Sequence, residues 1–399
     1  MPGPGAYLIG KEEIKEVMEV MESGHLMRYG DLSDPAFKRK VYTLEKEFAD
    51  YCGVPYALAT SSGTGSLWLS LLAMGIEPGD EVIVPAYTFV ATYSAVLFAG
   101  AVPVLTEINE SLTLDPENIE RRITPKTRAI IAVHMLGNPC DMDAIMDIAN
   151  MHGLMVLEDA CQAAGASYKG RKIGSIGHMG AFSLNIFKTI TAGDGGLFVT
   201  KDKELYERVF ALHDQGHSPL RGGVDVGRRN ILGMNFRVNE LLGAVALAQL
   251  RKIDKITSTL RAKKSKLKEM IGDIDGFKFR TLNDTSGECG TLLTVIFDSK
   301  DMADKVSKAL SSTTADHSGW HVYFNMEHVV KRLCELGRPI GKGCYPKTDD
   351  ILSRAMNISI GVVDAGLGAG FGININSTDK EIRSIARRFW QACQEARCF

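Results

Sequence analysis

The chain has 399 residues, of which 45% are hydrophobic and 24% charged; this is the mixture of an ordinary folded protein and excludes a wholly disordered one. Its 46 Lys and Arg against 48 Asp and Glu give a net charge of −2, so no global basic field exists to hold nucleic acid. The 40 glycines follow no Gly-X-Y period, which excludes collagen.

Three features of the sequence bear on the cellular compartment of the protein. Residues 1–5 lack the charged and apolar segments of a signal peptide, and the eight cysteines are scattered without a CxxC pair. The uncharged stretch 82–106 is interrupted by Pro85, Gly100 and Pro103, so buried strands and a helix fit it better than a membrane span. We therefore predict a cytoplasmic protein with reduced thiols, without a metal site and without a membrane or nucleic-acid partner.

Short apolar runs alternate with amphipathic segments from residue 56 to residue 200. The predicted strands are 56–60, 81–84, 102–105, 129–133, 155–157, 180–183 and 195–200, and the predicted helices between them are 65–74, 88–98 and 142–151. This alternation predicts an α/β fold with a mostly parallel, doubly wound sheet between helices. Such sheets bind ligands outside the carboxyl ends of their strands.

The remaining third of the chain predicts a second, smaller α/β lobe. A pattern without proline over residues 239–271 predicts one helix, on the order of 45 Å long, that bridges the two lobes. Its basic stretch, residues 251–268, is interpreted as a solvated helix face. We divide the chain into an N-terminal segment (1–30) near the small domain, a large domain (31–255) and a small C-terminal domain (256–399).

Four segments place reactive or binding groups at the ends of predicted strands. Residues 61–66 (SSGTGS) precede a helix, whose free N–H groups and positive dipole end suit a phosphate. Asp159 ends a buried strand, where a carboxylate needs a cationic or hydrogen-bonding partner. Lys188 lies between two apolar strands, and an amine in partly apolar surroundings is more easily neutral and nucleophilic. Phe89 can lie flat on a planar ring.

Each segment also has an ordinary explanation: a capped helix without a ligand, an acid that caps a helix, an exposed loop lysine and a core aromatic. Together they are far more specific, because pyridoxal 5′-phosphate needs a phosphate site, a lysine for its Schiff base and an acid for its pyridinium nitrogen. The sequence therefore predicts pyridoxal 5′-phosphate as the cofactor.

At these segments the chain resembles the DegT/StrS family of sugar aminotransferases, which are fold type I enzymes that use pyridoxal phosphate. The resemblance covers about residues 24–250 and rests on 44–49 (LEKEFA), 62–64 (SGT), 85–92 (PAYTFVAT), 158–160 (EDA), Ser183 five residues before Lys188, 193–196 (GDGG) and 233–237 (GMNFR). It implies a large domain with a seven-stranded type of sheet and a smaller C-terminal α/β domain.

The resemblance also implies roles for residues around the cofactor ring. Lys188 forms the Schiff base and moves a proton during the reaction, and Asp159 binds the pyridine nitrogen. Gln162 lies near the ring's 3′ oxygen, where the family has His or Gln, and Phe89 stacks on the ring. A few members with His at the position of Lys188 are dehydratases, so the lysine favours transamination.

Phosphate binding and assembly follow from the same resemblance. Gly63, Thr64 and Ser183 hold the cofactor phosphate. Asn235 reaches the phosphate of the neighbouring subunit, which implies a homodimer with shared active sites. The turn at residues 193–196 carries Asp194 where the family usually has Glu, a conservative difference.

The implied reaction takes an amino group from glutamate or glutamine, through a pyridoxamine form, to a keto sugar. The acceptor is a nucleotide-linked keto sugar or an 8-oxo-3-deoxy-octulosonate. His321 and Tyr323 lie where family members place acceptor-side residues. Arg229, with Arg221 and Arg228, either binds a carboxylate or an anionic sugar or is a surface charge. A dehydratase or racemase of the same fold, or a regulatory protein without turnover, are the alternatives.

Overall fold

The structure is a computed structural model that describes residues 2–219, 229 and 231–397. The strands of the described residues are β1 (Tyr56–Thr60), β2 (Glu81–Pro85), β3 (Val102–Thr106), β4 (Thr127–Val133), β5 (Met155–Asp159), β6 (Ser167–Tyr168), β7 (Arg171–Lys172), β8 (Met179–Ser183), β9 (Gly196–Thr200), β10 (Phe277–Phe279), β11 (Leu292–Phe297) and β12 (Ala355–Ser359). The helices are α1 (Lys11–Ser23), α2 (Lys40–Cys52), α3 (Gly63–Ala73), α4 (Val90–Phe98), α5 (Pro116–Ile119), α6 (Met142–His152), α7 (Lys203–His213), α8 (Glu240–Leu250), α9 (Ile253–Ile271), α10 (Lys300–Ala309), α11 (Glu327–Glu335), α12 (Pro346–Arg354) and α13 (Asp379–Arg397).

A seven-stranded sheet forms the centre of the larger lobe, in the order β1-β9-β8-β5-β4-β2-β3. The pairs from β8 to β3 are parallel, and β9 is antiparallel to both β1 and β8. The predicted mostly parallel sheet is confirmed, and the predicted strands and helices between residues 56 and 200 begin and end within two residues of the observed ones.

The parallel strands end at one edge of the sheet, and this places the site. Their last residues include Thr60, Pro85, Val133, Asp159 and Ser183. The strands β2 and β8 are buried throughout, because helices cover both faces of a parallel sheet. Side chains that follow these strand ends therefore converge on one region.

The single helix predicted over residues 239–271 is wrong, because α8 ends before Arg251 and α9 begins after Lys252. The nearly uncharged α8 is buried and packs against α1 and α2, whereas the amphipathic α9 packs against α13. The Lys252 side chain donates from Nζ to Leu8 O (2.9 Å) and to the Glu13 carboxylate (2.7 and 2.8 Å). Tertiary contacts, rather than a proline or glycine, thus redirect the chain.

The basic stretch 251–268 is only partly a solvated face, which also differs from the prediction. Lys264 is buried, and its Nζ lies 2.9 Å from an oxygen of the buried Glu288. Burial lowers the pKa of Lys264 to about 8. The stretch therefore includes a buried ion pair under the smaller lobe as well as exposed lysines such as Lys255 and Lys268.

The smaller lobe contains the antiparallel three-stranded sheet β10-β11-β12, against which α10 and α12 pack. The N-terminal segment contacts the larger lobe: α1 packs against α8, and Gly3 N donates to Ile186 O (2.8 Å). Pro4 also lies beside Gly361, which follows β12. The limits proposed for the three domains stay a prediction.

The described part of the chain has no membrane-spanning helix, disulfide bond or metal-binding cluster. None of its helices is both long and apolar enough to cross a membrane. Its seven cysteines are free thiols. It also contains no cluster of His, Cys, Asp and Glu that would hold a metal ion.

Candidate active site

A cavity of about 570 Å³ lies at the carboxyl edge of the large sheet and extends to the smaller lobe. The predicted site residues that line it are Gly63, Thr64, Phe89, Asp159, Gln162, Ser183, Lys188 and His321. A cavity of this size suits a small organic molecule. The structure therefore brings together most of the residues that the sequence singled out.

Asp159 is the last residue of β5, and its carboxylate is held by two donors. Thr92 Oγ1, in the first turn of α4, donates to Asp159 Oδ2 (2.8 Å), and Cys161 N donates to Asp159 Oδ1 (3.2 Å). Thr88 Oγ1 in turn lies 2.7 Å from Thr92 Oγ1. Asp159 is 5% exposed and precedes a turn rather than a helix. The helix-capping alternative therefore does not apply to it, and its carboxylate has one fixed orientation.

Glu158 points to the opposite face of β5 from Asp159, and its hydrogen bonds there hold the end of the strand in place. Its buried carboxylate accepts hydrogen bonds from the backbone N–H groups of Gly174 (2.7 Å), Ile176 (2.6 Å) and Gly177 (2.6 Å). His134 Nε2 donates a fourth, at 3.1 Å. These bonds satisfy a carboxylate that would be costly to bury alone. No role for this neighbour of Asp159 is evident from the sequence.

The start of α3 forms a cradle at the cavity wall. Ser62 caps the helix, with its Oγ accepting from Gly65 N (2.9 Å), and the first-turn N–H groups have no partner within a helix. A Cβ atom on Gly63 would lie 2.8 Å from both Cys161 Sγ and Ser183 Cβ. A Cβ on Gly196, the last residue of the GDGG turn, would overlap the Ser62 carbonyl. Only glycines leave this helix start open.

Substituting Gly63 by alanine is expected to weaken cofactor binding by about tenfold or more, because the new Cβ displaces Ser183 and Cys161 at the cradle. Gly341→Ala is the matched control, because nothing lies within 4 Å of a Cβ at that position. Titration of the cofactor-free variants with pyridoxal phosphate, followed by visible absorbance, measures the effect. Equal dissociation constants for the two variants would contradict the cradle.

Lys188 lies in a turn between β8 and β9 that the backbone holds tightly. Its N–H donates to Asn185 O (2.9 Å), and Asn185 N donates to Ser183 Oγ (3.2 Å). The half-buried side chain reaches over the cavity, with Nζ 5.9 Å from the centre of the Phe89 ring. The exposed-lysine alternative therefore does not describe this residue.

His321 adds a neutral imidazole beside these groups. Its ring centre lies 5.3 Å from that of Phe89, and its Nδ1 lies 2.8 Å from Ser318 Oγ. Burial, together with the nearby Lys188 charge, lowers the pKa of His321 to about 3. The ring is therefore uncharged at neutral pH and can exchange hydrogen bonds without adding a second cation.

Gln162 and Asp194 are two further polar residues of the cavity lining near the sheet. Gln162 Oε1 accepts from Leu136 N (2.9 Å), which leaves the amide N–H groups of Gln162 as its remaining donors. Asp194 Oδ1 accepts from the next residue's backbone N–H (3.1 Å). Both residues line the cavity, so the Glu-to-Asp difference noted in the sequence lies at the site itself.

Asn235 and Arg229 do not line this cavity. Asn235 is exposed, and its backbone passes beside the start of α3, where the next residue's carbonyl accepts from Ser61 N (2.8 Å). Arg229 is exposed, with Nη2 2.9 Å from His217 Nε2. Arg221 and Arg228 lie outside the described residues.

Tyr323 lies outside the cavity too, and the lining contains residues that were not predicted from the sequence. The Tyr323 side chain is buried, and its hydroxyl donates to Gly341 O (3.0 Å). Trp320, Asp364 and Thr291 of the smaller lobe line the cavity instead. Trp320 directly precedes the segment suspected from the sequence, whereas Asp364 follows β12 with no local pattern to mark it.

The geometry of the cavity and the chemistry of its residues fit pyridoxal 5′-phosphate. Gly63 keeps open a helix start suited to a phosphate, and this helix start shares one cavity with an amine and a fixed carboxylate. Together with the seven-stranded sheet, these features define the class: an α/β enzyme with the fold of pyridoxal phosphate-dependent aminotransferases.

Comparison with known proteins supplies the particular family. The model of the DegT/DnrJ/EryC1/StrS aminotransferase family matches residues 8–363. The erythromycin biosynthesis sensory transduction protein EryC1 of Saccharopolyspora erythraea is 34% identical over 319 residues, which cover 79% of this chain and 84% of that protein. The chain belongs to the DegT/DnrJ/EryC1/StrS aminotransferase family. The predicted family and its cofactor, pyridoxal 5′-phosphate, are thereby confirmed.

Two further comparisons bear on activity and fold. The GDP-perosamine synthase of Caulobacter vibrioides is 44% identical over 220 residues, which are 54% of this chain, and the chain spans 57% of that enzyme's length. The crystal structure of DesV from S. venezuelae in complex with a ketimine intermediate has a TM-score of 0.80 at 29% identity and covers 96% of this chain and 94% of its own. The fold prediction is therefore confirmed over both lobes.

Proposed function

We propose that the protein transfers an amino group from glutamate or glutamine to a keto sugar. In this ping-pong scheme bound pyridoxal phosphate would carry the amino group between the two substrates, so the donor product would depart before the keto sugar is aminated. The observation that carries the proposal is the joint presence of the Lys188 amine and the hydrogen-bonded Asp159 carboxylate in one cavity with the α3 start.

Each of these side chains has a defined task in the proposal. Bound pyridoxal phosphate supplies an electron-accepting ring. Lys188 Nζ takes the proton from the substrate carbon that bears the amino group, and it returns that proton later. Asp159 keeps a proton on the ring nitrogen, and Thr92 holds the carboxylate in place for this task. Phe89 covers one ring face and keeps water away from it.

We include in the proposal a homodimer in which Asn235 reaches the phosphate of the neighbouring subunit. Supporting this, α1 exposes an apolar row at helical spacing: Ile14 is 61% exposed, Met18 47% and Met21 54%. Such a row on a folded protein is typical of a covered interface. Met234, next to Asn235, is also 59% exposed.

The acceptor class draws on the relatives. GDP-perosamine synthase and the dTDP-3-amino-3,4,6-trideoxy-alpha-D-glucose transaminase of Streptomyces venezuelae, 43% identical over 212 residues, have names that specify nucleotide-linked amino sugars. We therefore favour a nucleotide-linked keto sugar over the free 8-oxo-3-deoxy-octulosonate. A dehydratase or a racemase is not favoured, since the chain has Lys188 and belongs to an aminotransferase family. Among the relatives named above, only the name of EryC1, a sensory transduction protein, points to a regulatory protein.

A two-stage assay tests this proposal. Glutamate and glutamine are first added singly to the protein loaded with pyridoxal phosphate, and one of them should bleach its visible absorbance. The bleached protein is then mixed with GDP-4-keto-6-deoxymannose, a dTDP-linked keto sugar or 8-oxo-3-deoxy-octulosonate. We expect mass spectrometry to find an amino sugar from a nucleotide-linked acceptor. Absorbance that no donor changes, or water loss without amination, would contradict the proposal.

A further inference from the structure

We propose that Trp320 and Asp364 form the subsite that binds the hydroxyl-bearing ring of the acceptor. This inference rests on the proposed function and adds which residues select the acceptor and what part of it they contact. Both residues belong to the smaller lobe and line the cavity. Neither carries a role in the family resemblance drawn from the sequence.

Trp320 presents a large apolar side chain to the cavity. Its side chain is 56% exposed although it lines the cavity. Its carbonyl accepts from Val90 N (2.9 Å), and the carbonyl of His321 accepts from Thr88 N (3.0 Å). These two bonds join Trp320 to the start of α4 on either side of Phe89. The backbone that carries the indole is therefore fixed beside Phe89, the aromatic residue that is expected to cover the cofactor.

Asp364 lies next to this indole. Its Oδ1 accepts from Gly366 N (2.8 Å), so one carboxylate oxygen is held in a turn. A Cβ atom on Gly366 would lie 3.1 Å from Asp364 Oδ1 and 4.0 Å from Trp320 Cδ1. Gly366 therefore lies between the Asp364 carboxylate and the Trp320 indole, and both side chains lie within 4 Å of where its Cβ would be. A carboxylate and an indole that share such an edge can contact the same small ligand.

This pair also lies close to the reacting groups. His321, which directly follows Trp320, has its ring centre 5.3 Å from that of Phe89, and Lys188 Nζ lies 5.9 Å from the same Phe89 ring centre. Lys188, His321 and Asp364 line one cavity. A ligand ring placed on Trp320 can present a carbonyl carbon toward Lys188 while its other substituents remain at Asp364.

The chemistry of the pair matches a sugar. An indole face packs against the C–H groups of a pyranose, and a carboxylate accepts hydrogen bonds from its hydroxyls. Among the described lining residues, Lys188 is the one cation against Asp159, Asp194 and Asp364. An anionic group would be repelled at Asp364. The part of the acceptor bound there is consequently neutral and rich in hydroxyls, and its phosphates or carboxylate point away.

The test compares Asp364→Asn and Trp320→Leu with two controls, Trp390→Leu and Asp301→Asn. Trp390 is also about half exposed but lies on α13, and Asp301 is an exposed acid on α10. Two rates are measured: bleaching by the donor, and amination of GDP-4-keto-6-deoxymannose and of 8-oxo-3-deoxy-octulosonate. Isothermal titration calorimetry of each acceptor into the pyridoxal phosphate form, which has no amino group to transfer, gives the dissociation constant independently of turnover and of the tryptophan content of the variant.

We expect both subsite variants to lose at least about tenfold in kcat/KM for the acceptor. Asp364→Asn loses a hydrogen bond to a charged group, and Trp320→Leu loses the indole face on which the ring packs. The rate of bleaching by the donor should fall by less than about threefold in both variants. The controls should keep both rates. The proposal is overturned if acceptor kcat/KM stays within threefold of wild type, if donor bleaching falls equally, or if neither acceptor binds or reacts. Absence of donor bleaching in the wild type would instead remove the proposed function itself.

Discussion

Replacement of Lys188 by alanine is expected to lower turnover by at least about 1000-fold while leaving the fold intact. Loss of this side chain removes both the amine that binds the cofactor covalently and the base that moves the proton. The residue is half-buried and lies in a turn held by backbone bonds, so its side chain does not support the core. Steady-state rates with the best donor and acceptor measure the loss, and circular dichroism verifies the fold.

Two matched variants make this result specific. Lys188→Arg keeps the positive charge but lacks the primary amine, so it should be as inactive as the alanine variant. Lys203→Ala removes a lysine whose side chain is 72% exposed on α7 and should retain full activity. Activity in Lys188→Ala or Lys188→Arg within tenfold of wild type would show that another group performs the chemistry.

Replacement of Asp159 by asparagine is expected to reduce kcat by about 100-fold and to weaken binding of pyridoxal phosphate. The amide keeps the size of the side chain, but it has one accepting oxygen where the carboxylate has two, so it can accept from only one of Thr92 and Cys161. It also carries no charge to keep a proton on the ring nitrogen. The charge and one accepted hydrogen bond, rather than the packing, are therefore what changes. Rates and cofactor dissociation constants are measured on the same preparations.

Thr92→Val is the companion variant for the orientation of the carboxylate. It removes the 2.8 Å hydrogen bond but keeps the charge and nearly the same side-chain volume. We expect a smaller loss than in Asp159→Asn, about tenfold, because one hydrogen bond to a charged group is lost. Wild-type rates in Asp159→Asn would place the ring nitrogen elsewhere in the cavity.

The sheet and its functional edge could be predicted because periodicity and chemistry agree there. The apolar runs that end at Thr60, Asp159 and Ser183 are too short for helices and alternate with helical segments, which permits little besides a parallel sheet. Once these strands are parallel, their ends must meet. The proximity of Asp159 and Lys188 to the α3 start therefore followed from topology alone.

The smaller lobe could not be predicted in the same way, because its contribution to the site depends on long-range packing. His321 and Tyr323 are two residues apart, yet one lines the cavity and the other is buried away from it. Asp364 reaches the same cavity from a turn after β12. No local pattern specifies how this lobe faces the sheet.

The division between α8 and α9 was not predicted, for a related reason. Helical spacing continues through Arg251 and Lys252, and no breaker is present. Where α8 ends, Lys252 bonds to Leu8 and Glu13, which are about 240 residues away in sequence. The abrupt change from apolar to charged composition at residue 251 was the signal available, because it marks a change in what the helix packs against.

Peptide mapping after borohydride reduction tests the central claim most directly. Reduction of the protein loaded with pyridoxal phosphate fixes the cofactor to whichever amine holds it, and mass spectrometry of the digest locates the added mass. We expect the added mass on the peptide that contains Lys188, and no covalent label in Lys188→Arg. A label on another lysine, or none in the wild-type protein, would contradict it.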